Sequence, residues 1–139
     1  MSADRAFVDT NVLTYLFDES EPKKQEQAQR LLKNEKREIF VSTQVLQELY
    51  VSLTKGRDPI ATPDVAERAV REASGYSVVQ VDLPLVLSGI DASRRHAISF
   101  RDALIVRAAA QSGCGVLLSE DLNDGQVIDG VTVVNPFRD

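Results

Sequence analysis

Two aspartates stand directly behind short apolar runs. Asp9 ends Ala6-Phe7-Val8, and Asp121 follows Val116-Leu117-Leu118-Ser119-Glu120. If these runs are neighbouring parallel strands, both carboxylates emerge at the edge where strand ends face a crevice. Glu48 lies on the helical pattern after the second apolar run, Ile39-Phe40-Val41, and Asp102 lies in the first turn of a helix opened by Ser99. Acids gathered at one edge can bind divalent cations, and a cation-loaded site attracts phosphate even in an acidic protein. The chain has 1 His and 1 Cys, so it offers no zinc set. Carboxylate oxygens instead suit a hard ion such as Mg2+.

Each acid also has a plain structural reading. Asp9 can cap a helix beginning near Val12. Glu48 can be a solvated helix residue, although Val45, Leu49 and Ser52 put it on the border of the apolar face. Ser99 and Asp102 fit a helix-capping pair. Asp121 and Asp124 suit a turn in Asp121-Leu122-Asn123-Asp124-Gly125. The chemical reading draws its weight from the convergence of all four acids.

The elements that must position them follow from the apolar pattern. Strands are expected at Ala6 to Val8, Ile39 to Val41, Val78 to Val81, Gly115 to Leu118 and Val131 to Val134. Helices are expected over Val12 to Phe17, Pro22 to Glu35, Ser42 or Thr43 to Gly56, Thr62 to Gly75, Pro84 to Arg95 and Ser99 to Gly113. The strand runs are continuously apolar rather than alternating, which marks strands buried on both faces. Helix-strand alternation of this kind predicts a single-domain α/β fold over 1–139, with a mostly parallel central sheet flanked by helices.

Composition agrees with that fold. The chain has 139 residues, 43% hydrophobic and 27% charged, within the range of one domain. Cys114 stands alone in an apolar run, so it reads as a buried, inert thiol and no internal disulfide can form. No apolar stretch approaches the roughly 20 residues that span a bilayer, and the N-terminus lacks a signal-peptide pattern. A cytoplasmic protein without a membrane partner is expected. The net charge of -5 argues against nucleic acid unless the acids carry cations.

The segments Phe7-Val8-Asp9-Thr10-Asn11-Val12-Leu13, Ser99-Phe100-Arg101-Asp102-Ala103-Leu104-Ile105 and Leu118-Ser119-Glu120-Asp121-Leu122-Asn123-Asp124-Gly125 resemble, in order and spacing, the signatures of PIN-domain nucleases. Many of those are VapC-type toxins of toxin-antitoxin operons. The resemblance covers nearly the whole chain, including Val134-Asn135-Pro136-Phe137. It implies cleavage of single-stranded RNA with Mg2+ or Mn2+ held by Asp9, Glu48, Asp102 and Asp121. It implies Asp124 as an auxiliary metal ligand, and Asn11 and Ser119 as polar groups orienting the ligands. It also implies a small antitoxin that blocks the acidic pocket with an Arg or Lys, and a homodimer. Without a cation, four clustered carboxylates repel, and at least one should take up a proton more readily.

Positive charge for the substrate is scarce. Arg94, Arg95, Arg101 and Arg107 cluster around the Asp102 helix and are the candidate RNA contacts; a solvated helix face is the competing reading. His96 reads as a surface or packed residue. A receiver-like signalling domain would want adjacent acids after the first strand and a late lysine. A phosphatase would want an acid where Asn11 stands. A non-cleaving PIN-like RNA-binding module is the third alternative.

Overall fold

Ala6, Phe7 and Val8 are fully buried, as a continuously apolar strand covered on both faces requires. The computed structural model describes residues 2–138. The elements are β1 (Ser2–Val8), α1 (Thr10–Tyr15), α2 (Pro22–Asn34), β2 (Glu38–Ser42), α3 (Thr43–Thr54), α4 (Pro63–Ala73), β3 (Ser77–Val79), α5 (Leu83–His96), α6 (Phe100–Gln111), β4 (Cys114–Leu118), β5 (Val127–Ile128) and β6 (Val131–Val134). The strands form one sheet in the order β3-β2-β1-β4-β6-β5. All pairs are parallel except β5 with β6. The predicted α/β class with a mostly parallel sheet is therefore observed.

The order places β1 in the middle, with β2 on one side and β4 on the other. Here the chain switches from building the sheet in one direction to building it in the other. Such a switch point opens a crevice at the carboxyl ends of the strands. Val8 pairs with Leu118, and the Asp9 amide donates to the Leu118 carbonyl at 3.0 Å. Asp9 and Ser119 thus lie one step past the last paired residues of the two central strands.

Helix starts are set by side-chain caps. Ser42 accepts the Val45 amide, Thr62 that of Val65, Asp82 that of Leu85, and Ser99 that of Asp102. Each satisfies an amide that the helix cannot. Helices α5 and α6 pack closely at Gly89, where a Cβ would come within 3.3 Å of the Leu104 Cα. The core gathers Phe7, Leu13, Leu49, Leu85, Ile105 and Leu117, all nearly inaccessible to solvent.

Several expected boundaries move, each for a local reason. α1 begins at Thr10 rather than Val12, because the Asp9 carboxylate caps it by accepting the Thr10 amide at 2.7 Å. β3 ends at Val79 rather than Val81, because the Val81 amide donates to Thr43 Oγ1 instead of continuing the ladder. α3 stops at Thr54, where Lys55 turns extended, so Gly56 lies beyond its cap. β5 is not in the expected set at all. It is made by an Asp129-Gly130 turn with φ of 51° and 82°, a sequence suited to tight hairpins.

Candidate active site

Four elements deliver the four predicted acids to one place. Asp9 comes from the end of β1 and Asp121 from the loop after β4. Glu48 lies in α3, which starts where β2 ends. Asp102 arrives by the opposite route: α6 leads into β4, so it begins at the carboxyl edge and its first turn faces the crevice. The structure brings all four around the guanidinium of Arg101.

Arg101, a candidate substrate contact, lies among the acids and also lines the cleft beside them. Nη2 donates to Asp9 Oδ1 and to Glu48 Oε1, each at 2.6 Å. Nη1 donates to Asp9 Oδ2 at 3.2 Å, Asp102 Oδ1 at 3.1 Å and Asp121 Oδ2 at 3.4 Å. Nε reaches both Glu48 oxygens at 3.2 Å. The Asp9 side chain is 2% exposed and that of Asp121 is 49% exposed, so the site opens to solvent on the Asp121 side. Beside it lies a cleft of about 730 Å³, lined by Glu48, Arg101 and Asp121 at one end and by Val51, Lys55 and Ile60 along the α3 wall and the loop beyond it.

The surrounding polar groups fix the carboxylates in turn. Ser119 Oγ is fully buried and donates to Asp9 Oδ2 at 2.7 Å. The same hydroxyl accepts the Asp121 amide at 3.1 Å. Thr10 Oγ1 donates to Glu48 Oε1 at 2.7 Å. Gln44 Nε2 bridges Glu48 and the Arg101 carbonyl. Asn11 accepts the Glu120 amide through its Oδ1. Its Nδ2 is buried without a hydrogen bond of ordinary geometry, yet it stands near enough to Asp121 to favour that carboxylate's charged form. Thr10 and Gln44 were not singled out in the sequence. Thr10 could have been found as the first helical residue after Asp9, whereas Gln44 carries no signal of its own.

The electrostatics follow from this packing. Burial pushes the Glu48 carboxyl up, but the Arg101 guanidinium and the Thr10 hydroxyl outweigh it and leave the group below its ordinary value. Asp121 is raised, first by burial and then by the charge on Asp9. Burial disfavours the Arg101 charge, yet Glu48 and Asp9 more than compensate and raise it.

The other candidates lie elsewhere. Asp124 Oδ1 accepts the Asn135 amide at 2.8 Å, and Asp124 also pairs with Arg138. These contacts are those of a turn residue. Arg95, His96 and Arg107 converge on Asp129 in the β5–β6 turn, so two of the candidate RNA contacts are engaged there. Arg94 lies in the last turn of α5. Cys114 is buried, and burial pushes its thiol up to about 12.

The donor set fits a hard divalent cation in kind, since the converging groups are oxygens, four carboxylates and the Thr10 hydroxyl. Its spacing is that of a guanidinium cage. Among the described residues no three acids, histidines or cysteines close on an ion as they stand. Also among the described residues, no helix is long and apolar enough to cross a membrane.

Comparison with known proteins accords with this geometry. The PIN domain profile matches residues 6–124. The fold is shared with VapC20 of Mycobacterium tuberculosis, described as a sarcin-ricin loop cleaving toxin: 24% identity, 84% of this chain and 91% of that one covered, TM-score 0.69. A toxin-antitoxin complex from Klebsiella pneumoniae is similar at 21% identity, 95% and 98% coverage and TM-score 0.70. DNA-bound VapBC from Salmonella typhimurium is similar at 19% identity, 93% and 96% coverage and TM-score 0.65. No curated protein matches. The profile spans all four acids, from Asp9 at the end of β1 to Asp121 after β4, and the chain belongs to the PIN domain family.

Proposed function

We propose that this chain is a divalent-metal-dependent endoribonuclease that cuts single-stranded RNA in the cytoplasm, as the toxin of a toxin-antitoxin pair. The observation that carries the reading is the convergence of Asp9, Glu48, Asp102 and Asp121, from four separate elements, on a single cation. The similar solved structures include toxin-antitoxin complexes, which supports an antitoxin partner, and a homodimer is part of the same reading.

Asp9, Glu48, Asp102 and Asp121 would hold Mg2+ or Mn2+, which supplies Lewis-acid stabilisation of a phosphodiester and a more acidic water. The chain's own groups do the rest. Ser119 and Thr10 aim Asp9 and Glu48, as partners of metal ligands do. Asn11 faces Asp121, and Asp124 holds the turn behind it. The cleft beside Glu48 has room for a strand, and Lys55 on its wall offers a phosphate contact. Arg94, Arg95 and Arg107 would contribute at most to its outer path.

The test is cleavage of a mixed-sequence single-stranded RNA by purified protein with Mg2+, Mn2+ or EDTA, beside Asp9→Asn. Cleavage that requires metal and disappears in Asp9→Asn supports the reading. Cleavage that survives EDTA or the substitution overturns it. Absence of cleavage together with retained RNA binding favours the non-cleaving module. Growth arrest on expression of the wild type, absent for Asp9→Asn, tests the toxin role.

A further inference from the structure

We infer that Arg101 is a tethered counter-cation that competes with the divalent ion for the four acids, so that metal loading requires its guanidinium to leave. The inference rests on the metal reading above and adds a resident competitor to it.

Arg101 touches every acid of the site, and its side chain is 31% exposed against 2% for Asp9. Its planar fork satisfies oxygens spread around it. A Mg2+ ion instead draws its oxygens to about 2.0–2.1 Å from one point. The same carboxylates cannot serve both shapes at once. A guanidinium beside a divalent ion would also be repelled by it. The two cations therefore exclude each other by geometry and by charge.

The exchange has a route. Arg101 sits in the first turn of α6 and lines the neighbouring cleft. Rotation about its long stem carries the guanidinium from the acids into that cleft without moving the helix. The Thr10 hydroxyl and Gln44 amide continue to hold Glu48, and the Ser119 hydroxyl continues to hold Asp9. Glu48 and Asp9 therefore keep their places while the cation changes. Without Arg101 and without metal, four carboxylates face one another uncompensated, which destabilises the fold.

The experiment is calorimetric titration of Mn2+ into full-length wild type, Arg101→Ala and Arg101→Lys, with thermal melts in EDTA. Arg101→Ala is expected to bind Mn2+ at least tenfold more tightly than wild type, to melt lower in EDTA and to gain more from saturating Mn2+. Arg101→Lys, a point charge without the fork, is expected to lie between them. It carries the test alone if Arg101→Ala does not fold without metal. The Arg101 Nε–H resonance of wild type should shift as Mg2+ saturates. Equal or weaker Mn2+ binding by the folded variants, or an unmoved Nε–H signal in metal-loaded wild type, overturns the competition and leaves the metal reading standing. Absence of Mn2+ binding in wild type and variants alike overturns both.

Discussion

Ser119 and Asp9 lie 110 residues apart and share a hydrogen bond of 2.7 Å between the ends of the two central strands. The contact exists because β1 and β4 pair in parallel, with Val8 opposite Leu118. It orients the least exposed carboxylate of the site. The Ser119 hydroxyl also accepts the Asp121 amide, so one buried group positions two acids.

Ser119→Ala should therefore reduce both metal-dependent cleavage and stability. Loss of the hydrogen bond behind a ligand lowers activity by about 10–100-fold, while loss of both Ser119 contacts costs the fold about 1–3 kcal/mol. Steady-state cleavage and a denaturant melt on the same preparation separate the two effects. A variant as active as wild type would remove Ser119 from the site's machinery.

Gly89→Ala should destabilise the protein by about 1–2 kcal/mol, despite alanine's better helix propensity. The new Cβ would stand 3.1 Å from Leu104 Cδ1 and 3.3 Å from the Leu104 Cα. The backbone atom can yield only if α6 moves, and α6 carries Arg101 and Asp102. Urea unfolding reads the stability loss, and Mn2+ affinity reads the displaced acid.

Asp129→Asn should flatten the acid limb of the stability curve. Asp129 is held well below its ordinary 3.8, chiefly by Arg95, against burial, with His96 and Arg107 adding to the effect. A carboxyl lowered in the folded state contributes stability above its unfolded value and loses it as pH falls toward the folded one. The wild type should thus lose stability progressively below about pH 4. Asparagine tolerates the left-handed backbone, φ 51°, at this turn. The variant should be about 1–2 kcal/mol less stable than wild type at neutral pH, with the gap narrowing in acid. Thermal melts from pH 7 to pH 3 check the sign.

Ser42→Ala should cost about 1 kcal/mol through loss of the α3 cap, because the fully buried Ser42 hydroxyl accepts the Val45 amide at 3.2 Å. Glu48 lies six residues, under two turns, from that cap, so Mn2+ affinity should weaken modestly with it. Hydrogen exchange of the α3 amides beside Mn2+ titration measures both.

Local sequence determined the elements and most of the acids' placement. Ala6-Phe7-Val8 and Val116-Leu117-Leu118 are too apolar to face water on either side, so buried parallel strands followed from residue type. Asp9 and Asp121 follow such runs, and their arrival at one edge needed only the parallel arrangement. The Asp129-Gly130 hairpin was legible in principle, since that dipeptide suits a left-handed turn, but β5 spans only Val127–Ile128 and its apolar pattern is too short to stand out. Tertiary structure alone decided the cation. Arg94, Arg95, Arg101 and Arg107 are chemically identical along the chain. Their partners depend on how α5 and α6 pack, through Gly89, and on which side of each helix faces the crevice. That packing turns Arg101 into the acids and sends Arg95 and Arg107 to Asp129. Sequence spacing specifies which residues share a helix face; only the assembled sheet and helices specify which charge meets which, because those distances are set across elements far apart in the chain.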